Sequence, residues 1–157
     1  MTTIRDLLQD ELVIENITAN DKMGVLREFA GLLAETGRVR DREELIRVLL
    51  ERESLGSTGI GDGIAIPHGK LRPLSEMIVA FGRSRDGVDF QSIDHKPAYL
   101  FFLILTPVDK PGDHLKTLAR VSRILKNPAL RNDLRHAADR KELQRLICEE
   151  DGKYPQR

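Results

Sequence analysis

The sequence predicts an α+β domain with a mixed β-sheet flanked by helices on both faces. Three observations predict it. Short strand-like segments stand before and after two amphipathic helices, the run Ala98 to Leu105 is apolar throughout as a central strand covered on both faces would be, and three helices fill the tail. With 157 residues, 40% of them hydrophobic, the chain can bury one core, and a single domain over residues 1–157 is expected, with about 152–157 as a frayed tail.

Taken in order, Ile4 to Gln9 predicts a short helical turn and Leu12 to Ile14 a short strand. Asn20 is expected to cap a helix whose Met23, Leu26, Phe29, Ala30 and Leu33 recur at helical spacing, ending at Gly37. Asp41 with Glu44 forms a capping-box-like start for a second helix, with Leu45, Val48 and Leu49 facing inward. That helix ends near Glu51-Arg52-Glu53, so its last turn aims Arg52 at the glycine-rich stretch that follows. Met77 to Gly82 alternates as a strand, and Gly87-Val88-Asp89-Phe90 continues toward a turn at Asp94-His95-Lys96-Pro97. The apolar strand stops at Pro107. The tail helices are opened by Pro111-Gly112-Asp113, by Asn127-Pro128 and by Asp139 with Glu142. These elements fix the order along the chain and leave the strand order open.

Lys+Arg and Asp+Glu balance at 25 each, so nonspecific nucleic-acid binding is not indicated. The one cysteine, Cys148, sits on an apolar helix face and is expected to be buried filler. No signal-peptide pattern and no apolar run near the roughly 18 residues of a membrane span occurs, and a cytoplasmic location without membrane insertion is expected.

The rest of the chain is organised around Ser57-Thr58-Gly59-Ile60-Gly61-Asp62-Gly63-Ile64-Ala65-Ile66-Pro67-His68-Gly69-Lys70. Its glycines permit sharp turns and close approach, and Ile64-Ala65-Ile66 brings the chain out of the interior. Pro67 biases Ile66 to an extended conformation, so His68 is presented at a defined place on the rim. Gly69 leaves its far side open. A histidine in this setting suits a bulky partner and near-neutral chemistry.

The run Gly59-Ile60-Gly61-x-Gly63-Ile64-Ala65-Ile66-Pro67-His68-Gly69 resembles the active-site signature of the enzyme IIA proteins of the bacterial phosphotransferase system, fructose/mannitol type. The segment from Asp94 to His114 is similar to the same family. The resemblance implies a three-layer α/β/α sandwich and a phosphoryl group accepted on His68 from an HPr-like phosphocarrier, with no cofactor and no metal. It also implies roles for two further residues. Arg52, which on spacing alone fits an ion pair with Glu51 or Glu53, matches a family arginine near the phosphorylated histidine. His114, which on its own reads as packing on Leu118 and Val121, matches a second histidine beside the first. Ser57, Thr58 and the backbone N–H of Gly59 are candidate phosphate donors, although the two hydroxyls serve equally as turn-stabilising groups. His95 and His136 receive no role.

Pro67-His68-Gly69-Lys70 after Gly56-Ser57-Thr58-Gly59 looks more like the nitrogen-related branch of the family, which signals by phosphorylation state through regulatory partners such as potassium-transport proteins or sensor kinases. A free-standing fructose/mannitol-type component passing phosphate to a IIB component is the alternative. Two other classes compete less well. A metal hydrolase on His68 and His114 finds only Asp62 and Asp113 as further ligands, and a serine hydrolase pairing Ser57 with His68 has no G-x-S-x-G elbow.

Overall fold

The computed structural model describes residues 3–154. In chain order these form α1 (Ile4–Leu7), a one-turn 3₁₀ helix (Asp10–Leu12), β1 (Val13–Ile14), α2 (Lys22–Glu35) and α3 (Arg42–Ser54). The short strands β2 (Gly59–Gly61), β3 (Ile64–Ala65) and β4 (His68–Leu71) follow, then the long strands β5 (Ile78–Val88) and β6 (Ala98–Pro107). Helices α4 (Pro111–Leu125), α5 (Pro128–His136) and α6 (Arg140–Asp151) complete the chain.

The expected helices form, with one shifted cap. Asp21, not Asn20, caps α2 by accepting from Gly24 N at 2.8 Å, because a bridge to Asp89 holds Asp21 extended while the Asn20 carbonyl accepts from Asp89 N. Asp41 caps α3 as expected, accepting from Glu44 N. The two strand pieces expected around residues 77–90 are one strand, β5, whose register against β6 shifts between Arg83 and Val88. Part of the tail expected to fray is tied down. The Tyr154 hydroxyl donates to Glu150, its carbonyl accepts from Arg120, and residues 155–157 lie outside the described range.

Six strands form one mixed sheet in the order β1-β5-β6-β3-β2, with β4 also on β6. β5 and β6 are antiparallel, whereas β1 runs parallel to β5, and β3 and β4 both run parallel to β6. Ile64 faces Leu100, Ala65 faces Phe101 and His68 faces Ile104. The offset is unchanged across Ile66-Pro67, so β3 and β4 are one strand broken at a proline that has no N–H to give to the ladder.

Alternation along β6 divides the core between the two faces of the sheet. Phe101, Leu103 and Leu105 pack with Leu26, Phe29 and Leu33 of α2 and with Leu45 and Leu49 of α3. Leu100, Phe102 and Ile104 pack on the opposite face with Val121, Ile124, Leu134, Leu143 and Ile147 of α4, α5 and α6. This is the expected sandwich, and the same alternation carries Thr106 onto the α4 face. No helix among the described residues is long and apolar enough to cross a membrane.

Candidate active site

His68 begins β4 and, being paired with Ile104, points to the α4 face of the sheet. Gly69 therefore points the other way, toward α3, where an added Cβ would come within 2.8 Å of Val48 Cγ1. Its bareness serves the packing of β4 on α3 and not, as its place beside His68 suggests, the access of a partner. The break between β3 and β4 matters next. The Ile66 carbonyl lies 2.7 Å from His68 Nδ1, and because a carbonyl can only accept, Nδ1 must carry the hydrogen. The lone pair is thereby left on Nε2.

Arg52, in the last turn of α3, reaches that nitrogen. Its Nε donates to His68 Nε2 at 3.2 Å and its Nη1 donates to the Gly56 carbonyl at 3.0 Å. It pairs with neither adjacent glutamate, since Glu51 holds Arg47 and Glu53 turns inward to Lys22 Nζ at 2.9 Å. The guanidinium is thus held beside the histidine with no carboxylate paired to it among the described residues.

His114 stands in the first turn of α4 with its ring centroid 5.2 Å from that of His68 and its plane tilted by 55°. It is 6% exposed, and its Nδ1 lies 2.6 Å from Thr106 Oγ1. Burial, followed by the charges of His68, Lys70 and Arg52, pushes its pKa down to about 4. Desolvation is the leading cause, and it favours the neutral ring. His68 is also held below the ordinary histidine value, first by burial and next, among the lowering influences, by Arg52, against a raising influence from the Ile66 hydrogen bond. Both rings are neutral near pH 7.

The structure brings Arg52, His68 and His114 together and redirects the other three candidates. Ser57 Oγ donates to the Phe90 carbonyl and accepts from Gly59 N and Lys22 Nζ. The Thr58 hydroxyl and N–H both bond the Glu53 carboxylate. These hydroxyls, and the Gly59 N–H, are engaged in a network that fixes the turn between α3 and β2, which is the turn-stabilising alternative the sequence left open for the hydroxyls. Gly59 packs so closely on the loop bearing Ser92 that a Cβ would come within 2.9 Å of the Ser92 Cα. The same contacts leave Ser57 unpaired with His68, and among the described residues no three His, Cys, Asp or Glu side chains gather as a metal-ligand group.

Sequence reasoning missed Glu53, Lys22, Thr106 and the Ile66 carbonyl. Thr106 had a visible signal, being the polar residue that follows eight apolar ones. A backbone carbonyl has none.

A neutral imidazole whose Nε2 lone pair faces a guanidinium, with a second neutral imidazole within reach, has the chemistry to accept a phosphoryl group. The family described as "Phosphoenolpyruvate-dependent sugar phosphotransferase system, EIIA 2" matches residues 6–150, and the chain belongs to it. It is thus a phosphotransferase component of the kind that carries phosphate on a histidine. The chain is 40% identical over 136 residues to a nitrogen regulatory protein of Bradyrhizobium diazoefficiens, covering 87% of this chain and 88% of that one. It is 37% identical over 148 residues to the fructose-specific EIIABC component of Bacillus subtilis, covering 94% of this chain but only 23% of that protein's length. Among solved structures, the nitrogen regulatory protein IIA-Ntr of Neisseria meningitidis superposes with a TM-score of 0.85 at 28% identity, covering 92% of this chain and 98% of that one.

Proposed function

We propose that His68 Nε2 is the phosphoryl acceptor, charged by an HPr-like phosphocarrier in the cytoplasm, and that the phosphorylated protein signals to regulatory partners. The observation that carries the reading is the pair of contacts on one ring: Nδ1 bound to the Ile66 carbonyl, Nε2 facing Arg52. In the transfer, the Nε2 lone pair forms the new N–P bond as the carrier's bond to phosphorus breaks, its electron pair returning to the carrier. The Ile66 carbonyl steadies the positive charge that develops on the ring. Arg52 exchanges its hydrogen bond to Nε2 for the phosphoryl oxygens, and His114 offers a further donor. Leu55, three residues beyond Arg52, is 84% exposed, and Leu115, beside His114, is 69% exposed. Apolar side chains flanking a phosphoryl site suit a protein donor better than a small molecule.

The regulatory role draws on the nitrogen regulatory relatives, and sugar transport draws on the fructose-specific one. The test charges a phosphocarrier of the HPr class from phosphoenolpyruvate, adds this protein and maps the phosphate by mass spectrometry under alkaline conditions. Phosphate on His68 supports the acceptor assignment, and phosphate on any other residue overturns it. A chase with a fructose-type IIB domain then separates the two roles. Retention of phosphate on His68 supports regulation, and rapid discharge to IIB establishes transport.

A further inference from the structure

His68 and His114 are neutral rings of one residue type, yet a relay needs opposite things from them, a lone pair from one and a hydrogen from the other. The Ile66 carbonyl settles the matter for His68. For His114 the partner is Thr106 Oγ1, and a hydroxyl can either donate or accept. Burial resolves the ambiguity. Thr106 is fully buried, and its hydroxyl has a single hydrogen-bond partner among the described residues, His114 Nδ1 at 2.6 Å. Were Nδ1 to carry the hydrogen, the Thr106 hydroxyl hydrogen would be sealed in the core with no acceptor, a loss of about 1–3 kcal/mol. Were Thr106 to donate, both groups would be satisfied. Among the described residues His114 Nε2 has no hydrogen-bond partner, and it is not among the sealed, unpartnered atoms, so it remains open to an incoming oxygen.

We propose that Thr106 is a positioning residue that fixes His114 as the Nε2–H tautomer, making it an obligatory donor to the phosphoryl group held at His68. The inference rests on the relay reading for its purpose and on local geometry for its substance. Period-two alternation places Thr106 on the same face as Ile104, which pairs with His68, and its register partner is Lys70. One strand, β6, thereby positions both histidines, the first through its pairing with β4 and the second through a side chain two residues further on.

The test is long-range ¹H–¹⁵N correlation of the histidine rings in the whole protein, alongside phosphotransfer from the charged carrier. In the wild type, His114 should show a protonated Nε2 and an unprotonated Nδ1. Thr106→Val, close in volume but without the hydroxyl, should lose that pure tautomer and slow labelling of His68 about tenfold, the loss of roughly one hydrogen bond in the transition state. Thr106→Ser should restore both signals. A protonated Nδ1 on His114 in the wild type overturns the inference without need of any variant, as does a Val variant with unchanged spectrum and rate. Failure of the carrier to label even the wild type would defeat the relay reading, and with it the donor role, while the spectrum would still decide the tautomer.

Discussion

His68 and His114 face one another across the site but are held by different means. On the β3–β4 side the ring is set by the backbone: the strand breaks at Pro67 and the Ile66 carbonyl takes the Nδ1 hydrogen. On the β6–α4 side the ring is set by one side chain, the Thr106 hydroxyl, and by deep burial. A backbone acceptor survives almost any substitution, whereas a side-chain partner is lost by a single one. The proposed acceptor is thus built on the robust device and the proposed donor on the alterable one. Phosphoryl transfer asks for that division, since positioning of the attacking atom dominates and charge stabilisation refines it.

The comparison breaks hardest at His68. His68→Ala should abolish phosphohistidine formation altogether, leaving none on His114, because the His114 lone pair is spent on Thr106 and its free nitrogen holds a hydrogen. Acid-labile, base-stable phosphate on the variant at the wild-type rate would show that the two rings are interchangeable.

Next in size is Arg52. Truncation to alanine removes a charge-assisted donor at the reacting nitrogen and should slow labelling by about 10²-fold, or ~3 kcal/mol of barrier. Arg52→Lys should recover part of this, since an ammonium restores the charge but not the bidentate fork. A rate for Arg52→Ala within about threefold of wild type, with the fold intact by circular dichroism, would reduce the residue to a cap on the Gly56 carbonyl; threefold is only ~0.7 kcal/mol.

The same division explains what could be read from the sequence. Helix starts were legible because caps are local: Asp41, Asn127 and Asp139 each accept from an N–H two or three residues on. β5 was obscured by the polar run Arg83-Ser84-Arg85-Asp86, and β2 to β4 by glycines that look like loop. Strand order was not legible at all, since the constant pairing of β3 and β4 with β6 is a long-range choice with no local mark. In the site, His68 stood out by the motif around it, whereas Arg52 and His114 were legible only through the family resemblance, since on spacing alone they read as an ion pair and a packing residue. Ser57 and Thr58 stayed ambiguous because a hydroxyl near a histidine looks like a phosphate donor until another acceptor claims it, here the Phe90 carbonyl for Ser57 and the Glu53 carboxylate for Thr58.

A smaller effect is expected at His114 itself. His114→Ala removes a neutral donor and should slow labelling of His68 roughly tenfold without moving the phosphate, as loss of one transition-state hydrogen bond would. Peptide mapping of the labelled variant checks both parts. Phosphate on His114 in the wild type would exchange the two roles.

The finest test is thermodynamic. A histidine whose pKa is held at about 4 in the folded protein but lies near the ordinary 6.5 in the unfolded chain binds a proton more readily once unfolded. Its contribution is therefore fully present above about pH 6.5 and is lost as pH falls toward 4, and over that window the loss can reach ~3 kcal/mol. His68, shifted in the same direction by the same leading cause, adds to the slope. Denaturant unfolding between pH 7 and pH 4.5 should then show a clearly shallower acid decline for His114→Gln than for the wild type, with a smaller flattening for His68→Gln, whose ring is the less buried of the two. Carboxylates that titrate in the same range contribute equally to all three proteins and cancel in the comparison. Parallel declines for wild type and His114→Gln would mean that the His114 ring takes up protons as freely in the folded protein as in the unfolded one, and a ring so readily charged could not be the neutral donor that Thr106 is placed to hold.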